Sequence, residues 1–181
     1  MFVEETKLKG CFILQPQVFE DKRGYFIESF NQESFKQQTG INASFVQDNE
    51  SKSSKGVLRG LHFQKGEYAQ AKLVRVVRGS VLDIAVDLRP NSRSFGQYFS
   101  IVLSGKNKTQ LYMPRGFAHG FLVLENDTVF SYKCDNYYNK TAEGGIIFND
   151  KNLNIDWQLP QTDLIISDKD LKLPTFKELV I

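Results

Sequence analysis

The sequence predicts an all-β fold, a sandwich or barrel, on three observations. Short runs rich in β-branched and aromatic residues recur along the chain and are punctuated by Gly, Asn, Asp or Pro, as strands joined by turns require. The stretch Val76-Val77-Arg78-Gly79-Ser80-Val81-Leu82 reads as a hairpin whose Gly79 supplies the positive φ of a tight turn. Helical patterning is scarce beside these signals.

In chain order the expected strands are Phe12–Leu14, Tyr25–Phe30, Ser44–Asn49, Gly56–Gln64, Lys72–Arg78 and Val81–Leu88. They continue with Gln97–Leu103, Gln110–Met113, Gly120–Leu124, Val129–Cys134 and Gly145–Phe148. One short helix is expected, capped by Asn31, running through Glu33-Ser34-Phe35-Lys36 and stopping at Gly40. A second is expected after Pro174.

No repeat, low-complexity tract or linker divides the chain, so residues 1–181 read as one domain. Its hydrophobic share of 41% supports a sizeable core. The charge balance is 23 minus 21, or +2, with cations scattered singly or in pairs. That excludes a basic nucleic-acid groove. The first ten residues lack the apolar stretch of a signal peptide, and no segment suits a bilayer span, so the expected location is cytoplasmic. Cys11 and Cys134 are the only cysteines, unpaired in spacing, and read as reduced core thiols.

Alternation along strands then asks which polar residues point inward. Lys72 keeps step with Val74 and Val76, whereas Arg75 keeps step with Leu73 and Val77, so one of the two cations enters apolar surroundings. His119 shares a face with Phe117, Phe121 and Val123, and Tyr132 with Phe130 and Cys134. His62 shares parity with Leu58 and Gln64, across Gly60 as a bulge or close-approach point. Each residue alone is compatible with a hydrogen-bonded core position. A barrel receiving a lysine, a tyrosine and two histidines together has a polar pocket and a candidate site.

Two histidines far apart, without a carboxylate at ligand spacing, make a poor metal set. Acid-base catalysis is the simpler chemistry: imidazole removes a proton, a phenol returns one, and an ammonium beside a carbonyl oxygen stabilises the enolate between. That combination suits an epimerase acting next to a ketone.

The motifs Arg59-Gly60-Leu61-His62-Phe63-Gln64, Lys72-Leu73-Val74-Arg75-Val76, Pro114-Arg115-Gly116-Phe117-Ala118-His119-Gly120-Phe121, Tyr132-Lys133-Cys134 and Asn136-Tyr137-Tyr138 resemble those of the dTDP-4-dehydrorhamnose 3,5-epimerases. The resemblance extends from Val18-Phe19 and Asp21-Lys22-Arg23-Gly24, through Phe45-Val46-Gln47-Asp48-Asn49, to Ser167-Asp168-Lys169-Asp170. It implies a cupin-type jelly roll with short flanking helices, a homodimer, and no metal or organic cofactor.

The resemblance also implies roles. His62 is the base, oriented by Asp170; Tyr132 delivers a proton from the opposite face; Lys72 sits by the C4 oxygen; His119 lines the sugar pocket as a hydrogen-bond donor. Arg23 and Arg59 bind the diphosphate, with Gln47, Asp48 and Asn49 in the adjoining motif, and Tyr138 stacks on the base. Glu28, Glu143 and Lys169 match further substrate contacts, while Phe19, Arg23, Phe26 and Glu28 reach the neighbouring subunit's site. Tyr112, Phe148 and Glu50 depart from common family choices and put the preferred nucleotide and sugar in question. A related epimerase inverting one carbon, or taking another nucleotide such as GDP, would use the same residues. A non-catalytic sugar-binding cupin is the alternative from another class.

Overall fold

The computed structural model describes residues 1–179. In chain order its elements are β1 (Phe2–Glu5), β2 (Phe12–Gln15), β3 (Val18–Asp21), β4 (Gly24–Ile27), α1 (Gln32–Thr39), β5 (Gln47–Ser53), β6 (Val57–Gln64), β7 (Lys72–Arg78), β8 (Ser80–Asp87), β9 (Tyr98–Ser104), β10 (Gln110–Met113), β11 (Phe117–Val123), β12 (Thr128–Cys134), β13 (Glu143–Gly145) and β14 (Ile165–Ile166), with short 3-10 turns between some of them.

Two sheets carry the fold, one in the order β1-β2-β10-β7-β12-β5 and the other β13-β6-β11-β8-β9, with β14 parallel to β6. Val74, Val76, Leu111, Met113 and Phe130 of the first sheet meet Val81, Ala85, Leu103, Phe117, Phe121 and Val123 of the second in one buried cluster. This is the all-β, cupin-type jelly roll that the sequence predicts. Burial of each valine, leucine, methionine or phenylalanine side chain there is worth about 1.5–3 kcal/mol.

The second sheet is covered on its outer face as well. Leu58, Leu61, Phe63, Leu82, Ile84, Val86 and Leu122 pack there against Ile146, Phe148, Leu153 and Trp157, which is why β8 is buried along its whole length. Helix α1 covers part of the first sheet's outer face, placing Phe35 among Leu14, Leu73 and Tyr112. Its predicted caps hold: Asn31 Oδ1 accepts from Ser34 N at 3.0 Å, and Gly40 ends the helix at φ 74°.

Several expected elements shift. Gly79 has the positive φ, 78°, that its turn requires, but β7 and β8 are not a hairpin, because β7 pairs with β10 and β12 and β8 with β9 and β11. The turn carries the chain from one sheet to the other. The strand expected at Ser44–Asn49 lies at Gln47–Ser53, held by a ladder to Thr128–Cys134 through polar residues that carry no apolar signal. Tyr25–Phe30 ends at Ile27 as a two-stranded arm with β3, and Gly145–Phe148 is replaced by Glu143–Gly145, its apolar Ile146 and Phe148 packing under the second sheet. After Pro174 there is a single 3-10 turn, Phe176–Glu178, in place of the expected helix; residues 180 and 181 lie outside the described residues. Both cysteines are buried free thiols, with Cys11 pushed up to about 12 by burial.

Candidate active site

Strand β6 turns a local backbone feature into a site. Gly60 adopts φ 121°, and a Cβ there would lie 2.6 Å from the Gly120 Cα and 2.7 Å from the His119 carbonyl oxygen, so glycine is required. The β6–β11 register shifts at this point, Phe121 facing Arg59 but His119 facing His62. Alternation is thereby reversed. Leu61 and Phe63 belong to the outer cluster, whereas Arg59 and His62, three residues apart, both line the cavity, and Leu58 reaches both. Parity across the glycine fails for Arg59, which joins His62 on the cavity.

His62 Nε2 lies 2.7 Å from Asp170 Oδ1, and the other carboxylate oxygen accepts from Gly60 N at 3.3 Å. Burial by itself would raise the Asp170 pKa, but the His62 hydrogen bond and charge, the Gly60 N–H and Lys169 outweigh it and hold the carboxyl below its usual range. An ionised acceptor fixes the proton on Nε2 and leaves Nδ1 with the lone pair of a base.

The opposing sheet supplies Lys72, Tyr132 and Asn49. Lys72 takes the inward face with Val74 and Val76, as alternation predicts, and its Nζ lies 5.8 Å from the centre of the Tyr132 ring. Among the described residues no hydrogen bond or ion pair holds this ammonium. Burial lowers its pKa against the opposing pull of Cys134, Asp83 and Glu143. Tyr132 stands opposite Asn49 in the β12–β5 ladder, and burial raises its phenol, which stays protonated at neutral pH.

His119 is 6% exposed and its Nε2 lies 2.9 Å from Oδ2 of the fully buried Asp83, whose Oδ1 has no partner among the described residues. Asp83 is a neighbour the sequence reading missed. Its signal was an acid in step with Val81 and Ala85 inside an apolar run.

These residues converge on a cavity of about 670 Å³ lined by Asn49, Arg59, His62, Lys72, His119, Tyr132, Lys169 and Asp170, among others. A smaller one of about 280 Å³ shares Asn49, His62, Lys72 and Tyr132 and adds Gln47, Gln64, Cys134, Tyr138 and Glu143. Tyr138 is 54% exposed; its hydroxyl donates to Glu143 Oε2 at 3.0 Å, to which Lys169 Nζ also binds at 2.7 Å.

Other expected site residues stand apart. Asp48 lies next to Gln47 and Asn49 in sequence but on the other face of β5, ion-paired with Lys133 at 2.9 Å, and lines neither cavity. Glu28 accepts from Asn31 Nδ2 at the start of α1. Phe19, Arg23 and Phe26 sit on the β3–β4 arm, where Arg23 pairs with Asp21 and the two rings are 53% and 67% exposed. Tyr112 and Phe148 are buried in the outer clusters, away from the cavity, while Glu50 stands at its lining.

A jelly roll that aims a carboxylate-bound imidazole from one sheet, and an ammonium and a phenol from the other, into one cavity defines the class: a cupin-type barrel equipped for proton transfer. The chain belongs to the dTDP-4-dehydrorhamnose 3,5-epimerase family, whose model matches residues 5–178. It is 55% identical over 181 residues to the dTDP-4-dehydrorhamnose 3,5-epimerase of Escherichia coli (strain K12), covering 99% of this chain and 97% of that protein. The crystal structure of a dTDP-6-deoxy-D-glucose-3,5-epimerase from Legionella pneumophila in complex with dTDP-4-keto-L-rhamnose superposes with a TM-score of 0.94 at 43% identity, covering 98% of this chain and 94% of that one. A 3'-monoepimerase from Streptomyces bikiniensis in complex with dTDP-quinovose superposes at 0.87 with 32% identity, covering 94% and 85%.

Proposed function

We propose that this protein is a dTDP-4-dehydrorhamnose 3,5-epimerase, converting dTDP-4-dehydro-6-deoxy-D-glucose to dTDP-4-dehydro-L-rhamnose. The observation that carries the mechanism is the placement of His62 on one sheet and of Tyr132, with Lys72 Nζ 5.8 Å from its ring, on the other, all lining one cavity. A sugar ring lying between the sheets presents one face to the imidazole and the other to the phenol. His62 takes the proton from C3, the C–H electrons move into the C3–C4 bond, and the carbonyl π electrons move onto the C4 oxygen, where Lys72 stabilises the enolate. The enolate then takes the Tyr132 proton at C3 from the opposite face, and solvent resets both groups. The same cycle at C5 completes the reaction, since the C4 ketone acidifies both carbons.

In this reading Asp170 orients His62, and His119, held by Asp83, lines the sugar pocket. Arg59 binds the diphosphate beside Gln47 and Asn49, Tyr138 stacks on the base, and Glu143, itself paired with Lys169, holds that ring by its hydroxyl. The arm residues Phe19, Arg23 and Phe26, with Glu28, complete the site of a second copy. The exposed rings of the arm support a homodimer. A cytoplasmic location belongs to the same proposal; among the described residues no helix is long and apolar enough to cross a membrane.

Reaction in heavy water tests it. Product formed by the wild type should carry two solvent deuterons, one each at C3 and C5, and a His62→Ala variant should exchange neither. A variant that still exchanged normally would overturn the assignment of His62. The similarity to a 3'-monoepimerase favours single inversion as the second reading, which one deuteron at C3 alone would identify.

A further inference from the structure

We infer that Gln64 is a positioning residue for the nucleotide end of the substrate, acting through Tyr138; the inference rests on the reading of Tyr138 as the base-stacking ring. Gln64 is 8% exposed and spends its side-chain amide on main chain alone. Its Nε2 donates to the carbonyls of Tyr68 at 2.8 Å and Tyr137 at 3.1 Å, and its Oε1 accepts from Asn139 N at 2.6 Å. One amide thus grips the backbone on both sides of Tyr138, whose own N–H donates to Gln47 Oε1 at 3.0 Å. Both amide hydrogens and the carbonyl are used, which no other residue of that size and charge can reproduce.

Gln70 Nε2 and Asn136 Nδ2 tie the start of this segment, through the Asn136 and Glu67 carbonyls at 2.7 and 2.8 Å, but the Gln64 side chain holds the main chain on both sides of Tyr138. Tyr137 and Tyr138 are 65% and 54% exposed and lie outside regular structure. An exposed ring stacks on a base only if its backbone is held in place. Gln64 supplies that hold from β6, two residues from His62, while Glu143, its partner across the β13–β6 ladder, anchors the same ring by its hydroxyl. The ring that receives the base and the imidazole that attacks the sugar are therefore referenced to one strand. Loss of the grip loosens the base end while leaving the proton-transfer groups in place.

The test is steady-state kinetics on Gln64→Leu, Tyr138→Ala and the double variant, with dTDP-4-dehydro-6-deoxy-D-glucose. Gln64→Leu should raise KM about tenfold and change kcat less than about threefold, the split expected when ground-state and transition-state binding are lost equally. Added to Tyr138→Ala, it should raise KM less than twofold further, because both changes remove one platform. Gln64→Glu, which keeps the volume but turns a carboxylate towards the Tyr68 and Tyr137 carbonyls, should reproduce the KM increase and serves if the leucine variant does not fold. If Tyr138→Ala raises KM while Gln64→Leu and Gln64→Glu leave it unchanged, or if the effects multiply fully in the double variant, the inference fails and the reading of Tyr138 stands. An unchanged KM in Tyr138→Ala would remove that reading and the inference with it.

Discussion

His62 and Asp170, 108 residues apart, are joined by a 2.7 Å contact between Nε2 and Oδ1, and the second Asp170 oxygen holds the N–H of the glycine that makes the β6 bulge. One buried carboxylate thus fixes both the imidazole and the backbone that aims it. Asp170→Asn keeps the shape but removes the charge that favours the Nε2–H tautomer. A fall in kcat of about 10²–10³-fold is expected, within the range of general-base contributions, with KM changed less than threefold; kcat within threefold of wild type would contradict the role.

Lys72 carries the cost of a desolvated ammonium, and its lowered pKa is the measure of that cost. Lys72→Met should abolish measurable turnover yet raise the melting temperature by a few degrees, a relief of about 1 kcal/mol. The sign with pH follows. A lysine pKa lowered on folding destabilises while the group is charged, so the advantage of the variant should shrink as pH rises from the folded Lys72 pKa towards the ordinary lysine value. Thermal melts across that range would show a constant gap if Lys72 were not the source.

Gly60 allows no substitution by this geometry, since a Cβ meets Gly120 and the His119 carbonyl. Gly60→Ala should cost about 3 kcal/mol or more, combining strain at positive φ with overpacking between β6 and β11. Urea denaturation with an unchanged midpoint would show that the bulge is not held by this contact.

Asp87 is fully buried. Burial favours its neutral form, but Arg89, Ser92, Ser94 and the Arg89 N–H outweigh that and hold it at about 2. A carboxyl lowered on folding contributes stability above its unfolded pKa, near 4, and loses it as pH falls through about 2. Asp87→Asn should therefore lose about 1–2 kcal/mol at neutral pH, allowing for solvent at the 31% exposed Arg89 side chain. The difference from wild type should close between pH 4 and pH 2; a gap independent of pH would assign the loss to packing instead.

Much of this site was legible because strands alternate. Counting puts His119 and Tyr132 inward and leaves either Lys72 or Arg75 as the inward cation, and the structure sets Lys72 on the cavity. His62 enters the same pocket in the sequence only through a count across Gly60, where the β6–β11 register shifts, so its face is less legible than those of His119 and Tyr132. Asp170 lies on a 3-10 turn with no period to read, and Asp83 was overlooked although it kept step with the inner face of β8. Asp48 shows the converse limit of a motif: between Gln47 and Asn49 in sequence, it points the other way on the same strand and pairs with Lys133. The turn at Gly79 was legible as a turn, but local sequence does not state which sheet receives the next strand.

In the proposed mechanism, deprotonation and reprotonation belong to different residues on opposite walls of the cavity. Incubating a Tyr132→Phe variant with substrate in heavy water separates the two steps. His62 should still remove the C3 proton and return a deuteron to the same face, so recovered substrate should carry deuterium at C3 with its configuration unchanged and little product. Product formed at the wild-type rate, or substrate that binds but takes up no deuterium, would contradict the division of labour between His62 and Tyr132.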